Sequence, residues 1–341
     1  MTFRPPAPTL SDVAKSAGVS TATVSRCLNS PERVIESTRN RVMAAVRNLG
    51  YTPNFAARVM AARRSLTIGA IVPTLENAIF ARGLQAFQEE LLAQGYTLLV
   101  ASSSYRADTE EEQIRTLVSR GADGLLLIGH DRDPAILKFL QTQNVPALVA
   151  WTYDDNASLP SVGFNNRKSM RALVETVITL GHRRFGVISG RTETNDRARQ
   201  RVEGVFDAIC ASELNANTIE VIETDYGIEN GADAFAQLMS LKTPPTVVIC
   251  GNDVLAVGAM KKARELSLGV PEDVSITGFD DLELASVVVP ALTTIHVPHR
   301  EMGTKAARAL IEMVEKKVAH VSVELEPSIR IRGTLAPPPT A

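Results

Sequence analysis

The 341-residue chain predicts an α/β protein: a small all-α N-terminal headpiece followed by a two-lobed body of doubly wound parallel sheets. Three observations lead there. Thr9–Asn29 carries two short helical patterns around a glycine turn. From Leu66 onward, short apolar runs alternate with amphipathic helical stretches, the texture of β-α-β units. That alternation starts again near Asn166, so two similar halves follow one another and a cleft is expected between them.

The first helix places Val13, Ala14 and Ala17 on one face at helical spacing. Thr9 and Asp12, three apart, form an N-cap with an acidic partner. Gly18 provides the turn, since a residue without Cβ takes a positive φ without strain. Ser20 caps the second helix, which turns Val24 and Leu28 inward. Its outward face, Thr21, Ala22, Ser25, Arg26 and Asn29, is polar and cationic and has no acid. Such a helix fits a DNA major groove, with its N-terminal residues at base edges and its flanks on phosphates. Any small αα-hairpin with a solvated face gives the same pattern, so this stretch alone leaves both readings open. A third helix is expected from about Glu36 to Leu49, ending at Gly50 and burying Val42, Ala45, Val46 and Leu49. Ile35 stands where a cap is needed, and Ser37 is the nearby alternative.

Charge separates the two parts. Residues 1–65 hold ten Lys/Arg and three Asp/Glu, a balance of +7, and the whole chain carries −2, which leaves −9 for the remainder. A basic segment on an acidic body implies local contact with a polyanion. Cys27, Cys210 and Cys250 are isolated and odd in number, which gives no disulfide framework and suits a reducing, cytoplasmic setting. No apolar run approaches a membrane span. No metal-ligand spacing links His130, His182, His296, His299 and His320, and no GxSxG, P-loop or GxGxxG occurs, so neither a metal nor a cofactor is expected.

Thr9–Asn29, with Gly50-Tyr51-Thr52-Pro53-Asn54 after it, resembles the headpiece of LacI/GalR-family transcription regulators. Further matching pieces, in the same order, are Ala122-Asp123-Gly124, Leu180-Gly181-His182-Arg183, Asn252-Asp253, Gly278-Phe279-Asp280-Asp281 and Pro290-Ala291-Leu292-Thr293-Thr294-Ile295. The resemblance covers nearly the whole chain. Asn29-Ser30-Pro31-Glu32, Asn77-Ala78-Ile79-Phe80 and Val162-Gly163-Phe164-Asn165-Asn166 look most like gluconate-type repressors. It implies a periplasmic-binding-protein-like body over residues 66–341. The N-lobe would hold about 66–165 and 296–323, and the C-lobe about 166–295 and 324–335. It also implies a hinge helix over 54–64 that enters the minor groove, with Met60 in place of the family's wedging Leu. Met is a softer wedge; an ordinary charged linker is the alternative.

Base reading is assigned to Thr21, Ala22 and Arg26, and phosphate contact to Ser20, Thr23, Ser25 and Asn29, with Asn54 and Met60 in the hinge. Ligands of open α/β sheets lie beyond the carboxyl ends of strands. The residues there are Asn77 and Phe80, Trp151, Arg197 and Arg201, Tyr226, Asn252 and Asp253, and Asp280. They offer carboxylates and amides for hydroxyls, guanidinium for an anionic group and aromatic faces for stacking. Arg201, Asn252 and Asp280 match positions that contact effectors in the family. Trp151 is either a stacking face or core, and Asp253 is either a ligand group or a helix cap. Of the run Arg191, Arg197, Arg199 and Arg201, only one side can reach a cleft.

The reading is therefore a repressor-type regulator, not an enzyme. It binds a pseudo-palindromic DNA operator as a homodimer and responds to a small sugar acid of the gluconate kind, with a neutral sugar as alternative. A Rossmann-like enzyme with a helical cap lacks a nucleophile–base set or phosphate loop. A bare sugar-binding module leaves the basic headpiece unexplained.

Overall fold

The headpiece is built on its caps. In the computed structural model, which describes residues 7–52, 64–76, 78–214, 219–316 and 321–339, Thr9 and Asp12 form the reciprocal capping box that opens α1 (Leu10–Ala17). Gly18 closes it at φ 63°. Ser20 accepts the Thr23 N–H at the start of α2 (Thr21–Asn29). A 3-10 turn, Pro31–Arg33, leads to α3 (Glu36–Leu49), closed by Gly50 at φ 62°. The three helices bury Val13, Ala14, Ala17, Val24, Cys27, Val42 and Ala45, with Leu28, Val46 and Leu49 partly buried beside them. Two details differ from expectation. Ile35 occupies the N-cap of α3 with no side-chain bond, since an aliphatic chain has no acceptor, and Ser37 lies inside the helix. Cys27 is the second buried residue of α2, three positions after Val24 and on the same helical face. The hinge expected over 54–64, with Asn54 and Met60, lies outside the described residues except for Arg64.

The chain divides into two compact units, Met1–Ser65 and Leu66–Ala341. In the second, the elements are β1 (Thr67–Val72), α4 (Ala81–Ala93), β2 (Thr97–Ser102), α5 (Ala107–Ser119), β3 (Gly124–Ile128), α6 (Pro134–Gln143), β4 (Ala147–Ala150) and β5 (Ser161–Gly163). Then come α7 (Asn166–Thr179), β6 (Phe185–Gly190), α8 (Asp196–Ala211), β7 (Glu220–Thr224), α9 (Ile228–Met239), β8 (Val247–Cys250), α10 (Asp253–Glu265), β9 (Ser275–Thr277) and α11 (Glu283–Val287). The chain finishes with β10 (Thr294–His296), α12 (His299–Lys316), β11 (Val323–Glu324) and β12 (Ser328–Arg330).

Two parallel sheets result, ordered β11-β5-β4-β3-β1-β2 and β7-β6-β8-β9. β1, β3 and β4 are buried along their whole length, as strands covered by helices on both faces must be. β2 is the edge of the first sheet and leaves Leu99 and Val100 exposed. The sheets define two lobes. α12 returns from the second lobe and packs on α4 of the first, where Gly303 lies so close to the Gly83 carbonyl that a Cβ would overlap it. β11 joins the first sheet through Glu324, one residue beyond the expected division at 323, because Glu324 pairs with Gly163 of β5. β10 and β12 form a separate antiparallel pair. No helix among the described residues is long and apolar enough to cross a membrane.

Candidate functional site

The outward face of α2 carries one uncommitted cation. Arg26 is exposed and makes no ion pair or hydrogen bond among the described residues, whereas Arg33 pairs with Glu32 at 3.7 Å. Thr21 and Ala22 are exposed at the helix N-terminus, where side chains reach a groove floor. Neighbouring polar groups are partly used within the helix. The Ser20 hydroxyl caps α2 and lies 2.9 Å from the Thr23 hydroxyl, and Asn29 Nδ2 donates to Ser25 Oγ at 3.2 Å. Phosphate contact by these four competes with bonds already made.

In the body, a cleft of about 960 Å³ runs between the lobes, lined by Leu75, Tyr105, Asn195, Asp225, Tyr226 and Ile228 among others. A smaller chamber of about 240 Å³ adjoins it at Tyr105 and Thr194 and is lined by Arg132, Glu110, Asp196 and Arg197. Both spaces lie beyond the carboxyl ends of strands in both lobes. Tyr105 and Tyr226 face each other at 5.8 Å between ring centroids, and burial raises the pKa of both phenols.

Among the described residues expected to bind effector, Arg197 and Tyr226 line these spaces. Arg201, Asn252 and Asp280 lie in a buried layer beside them. α8 begins at the Asn195 cap, which puts Arg197 and Arg201 one turn apart on the buried face. Arg199 is half-exposed and pairs with Asp131, and Arg191 is exposed and pairs with Asp225. Arg201 donates to Asn166 Oδ1 at 2.8 Å and to the Gly251 carbonyl at 2.6 Å, and its guanidinium lies 3.7 Å from the centre of the Phe279 ring. Asp280, at φ 103°, is fully buried, and neither carboxylate oxygen has a hydrogen-bond partner. Asn252 caps α10 through Oδ1, which accepts the Leu255 N–H at 2.9 Å, and leaves Nδ2 buried without a partner. Ser189 Oγ, His299 Nδ1 and Trp151 Nε1 are likewise buried and unpartnered. An orphaned buried polar atom costs about 1–3 kcal/mol, so such a concentration marks a place built for something other than stability.

Three expectations need correction. Asp253 is not available to a ligand. One oxygen accepts Thr294 Oγ1 at 2.6 Å and the other the Leu282 N–H at 2.7 Å, fixing the loop after β9 to the start of α10. Burial, reinforced by Asp280, pushes its carboxyl up to about 8. Phe80 is core: 3% exposed, it packs edge-on against Trp151 with centroids 5.2 Å apart. Trp151 is 2% exposed, so its indole closes the floor of the N-lobe and offers no free stacking face; only its orphaned Nε1 keeps a polar interest. Asn77 lies outside the described residues. Asp281, unlike its neighbour Asp280, is paired: it is held by His296 at 2.9 Å and Arg332 at 2.6 Å.

Tyr105, Arg132, Asn166 and His299 were not singled out from the sequence. Tyr105 and Arg132 follow the ends of β2 and β3, where the strand-end rule would have found them. Asn166 and His299 take part through tertiary contacts: Asn166 links Arg201 to the Trp151 carbonyl, and His299 Nε2 lies 3.2 Å from the Asp280 carbonyl.

Comparison with known proteins fits this arrangement. The family described as "Bacterial regulatory proteins, lacI family" matches residues 9–54, and "Periplasmic binding protein-like domain" matches residues 174–335. The chain is similar to the HTH-type transcriptional repressor CytR of Escherichia coli (strain K12), 33% identical over 330 residues, 96% of each protein. It is similar to the HTH-type transcriptional repressor PurR of Proteus mirabilis (strain HI4320), 32% identical over 334 residues, 97% of this chain and 98% of the relative. In structure it is similar to the Lac repressor dimer bound to operator and the anti-inducer ONPF, with TM-score 0.87, 28% identity and coverage of 97% of this chain and 100% of that one.

Proposed function

Because the chain belongs to the LacI family of bacterial regulatory proteins, it is a DNA-binding transcriptional repressor with a ligand-binding body and not an enzyme, and we propose that its effector is a neutral, hydroxyl-rich ligand of the sugar class held between the two lobes. The observation that carries the effector class is the charge pairing. Arg197 is committed to Asp196 at 2.8 Å, Arg199 to Asp131 at 2.7 Å, Arg132 to Glu110 at 2.9 Å and Arg191 to Asp225 at 2.8 Å. Arg201 is committed to Asn166 and Gly251, with Asp280 beside it. A sugar acid would bring a further negative charge into a cleft whose cations are matched, and burying it unpaired is costly. The gluconate-like sugar acid expected from the sequence needs a cation free to pair with its carboxylate, and Arg197 is held by Asp196. Hydroxyl donors, by contrast, suit the two open acceptors of Asp280.

Two copies would read a pseudo-palindromic operator, each through Thr21, Ala22 and Arg26. The exposed apolar residues of the body, Leu99 and Val100 on the β2 edge together with Val287 and Val289, suit a partner copy that covers them. The test is calorimetry of the full chain against neutral sugars and the matching sugar acids, with Asp280→Asn as control. Binding of a neutral sugar that the control loses supports the reading. Binding of acids alone overturns the effector class and leaves the repressor intact.

A further inference from the structure

The two lobes touch directly along one side of the cleft, at the loop after β3 and the N-terminus of α8. Asp196 of α8 accepts the backbone N–H of His130 at 2.6 Å through one oxygen and Arg197 Nη1 at 2.8 Å through the other. Arg199, one turn from Asn195, donates to both oxygens of Asp131 at 2.7 and 2.9 Å, and its second nitrogen is anchored on the Thr192 carbonyl at 2.9 Å. Between these contacts sits Gly129, at φ 77°, so close to Arg197 Nη1 and Asp196 Oδ1 that a Cβ would overlap both. A left-handed glycine at this point lets one lobe's backbone lie against the other lobe's ion pair. At a second place, Arg82 of α4 pairs with Glu283 of α11 at 2.6 Å.

What these contacts oppose is equally visible. The layer of Asp280, Asn252, Ser189, His299 and Trp151 is sealed with its polar atoms unsatisfied, and each such atom would gain from contact with water or a ligand's hydroxyls. Closing the lobes over this layer is therefore unfavourable locally and needs compensation elsewhere.

We propose that Gly129, His130 and Asp131 of one lobe and Asp196 and Arg199 of the other form a latch that holds the lobes closed over the sealed polar layer, so that whatever enters that layer must first break it. The body is then a bistable element: closed and latched, or open with Asp280 and its neighbours hydrated. The carboxylate of Asp196 is suited to this task. Burial alone would raise its pKa, but Arg197 and the backbone N–H groups of His130 and Arg197 outweigh that and keep it charged. The latch stands independently of the effector class proposed above.

The chain's single tryptophan reports on it. Trp151 lies 6.3 Å from His299 between ring centroids, and His299 Nε2 lies 3.2 Å from the Asp280 carbonyl of the other lobe, which places the indole next to the junction whose opening the experiment reads. Acrylamide quenching of tryptophan fluorescence in the full chain is the measurement, with far-ultraviolet circular dichroism to check folding. Arg199→Ala and Asp131→Ala, at side chains 40% and 33% exposed, should each raise the quenching constant, as expected for a shift of about fivefold in the closing equilibrium. The double variant should be no worse than either single one, because both remove the same contact. Gly129→Ala should act the same way by steric wedging. Unchanged quenching in Arg199→Ala and in Gly129→Ala, or full additivity in the double variant, overturns the latch. Increased quenching without binding of any sugar leaves the latch standing and overturns only the effector class.

Discussion

Arg201 Nη2 stands 3.6 Å from Asp280 Oδ1, too far for a hydrogen bond, while the rest of its guanidinium is held by Asn166, Gly251 and the Phe279 face. The two residues therefore have unequal duties. Arg201 ties α7, α8 and the loop after β8 together, and it is the only cation placed beside the buried Asp280 carboxylate among the described residues. Arg201→Ala should lower stability by about 3–5 kcal/mol, the cost of leaving a buried charge uncompensated. Asp280→Asn, which keeps the shape and removes the charge, should keep the fold and lose the effector response. Thermal melts paired with ligand titrations separate the two outcomes. Equal destabilisation by both variants would show that Asp280 is a structural residue.

Asp253 gives the body a pH dependence with a definite sign. Its carboxyl is pushed from an ordinary 3.8 to about 8 by burial and the nearby Asp280. Between those values the folded state holds a proton that the unfolded state releases, so stability falls as pH rises. The contribution is fully present below pH 3.8 and is lost as pH passes through about 8. Asp253→Asn should flatten this dependence, seen as a smaller drop in melting temperature between pH 6 and pH 9 than in the parent chain. A parallel pair of curves would show that Asp253 is ionised throughout.

How legible the fold was depends on where its signals lie. The starts of α1 and α2 are legible because their side-chain caps, Thr9 and Ser20, stand in the sequence immediately before them. β5 and β11, of three and two residues, are too short to show alternation, and their pairing exists only because β11 finds β5 from far along the chain. In the site, Arg201, Asn252 and Asp280 were legible from their motifs, and the structure gathers them in one layer. Their burial was not legible, because it depends on tertiary contacts such as those of Arg201 with Asn166, Gly251 and the Phe279 ring. The role of Asp253 was not legible either: Thr294 and Leu282, the groups that occupy it, are 41 and 29 residues away.

The Thr9–Asp12 capping box should hold α1 in register for docking against α2. Thr9 accepts the Asp12 N–H, and Asp12 accepts the Thr9 N–H and hydroxyl at 2.8 and 2.7 Å. Thr9→Ala removes the hydroxyl part of this exchange and should cost the helix about 1 kcal/mol. In a domain with so small a core, that loss should show as faster amide exchange over α1. Exchange rates equal to those of the parent would mean that packing of Val13, Ala14 and Ala17 alone fixes the helix.

Arg26 carries the last prediction. It projects from the exposed face of α2 without a partner among the described residues, so its guanidinium enters a groove without first breaking a bond to any of them. A fork of donors reads guanine at two acceptors, whereas Ala22 offers only a methyl contact. Arg26→Ala should weaken operator binding by about 1–3 kcal/mol and relax base preference at one position in each half-site. Arg26→Lys keeps the charge and loses the fork, so it should restore salt-dependent affinity without restoring the preference. Binding of each variant to a randomised operator library, at two salt concentrations, distinguishes the roles. If Lys restores the preference in full, or Ala leaves it unchanged, Arg26 contacts phosphate only and base reading passes to Thr21 and Ala22.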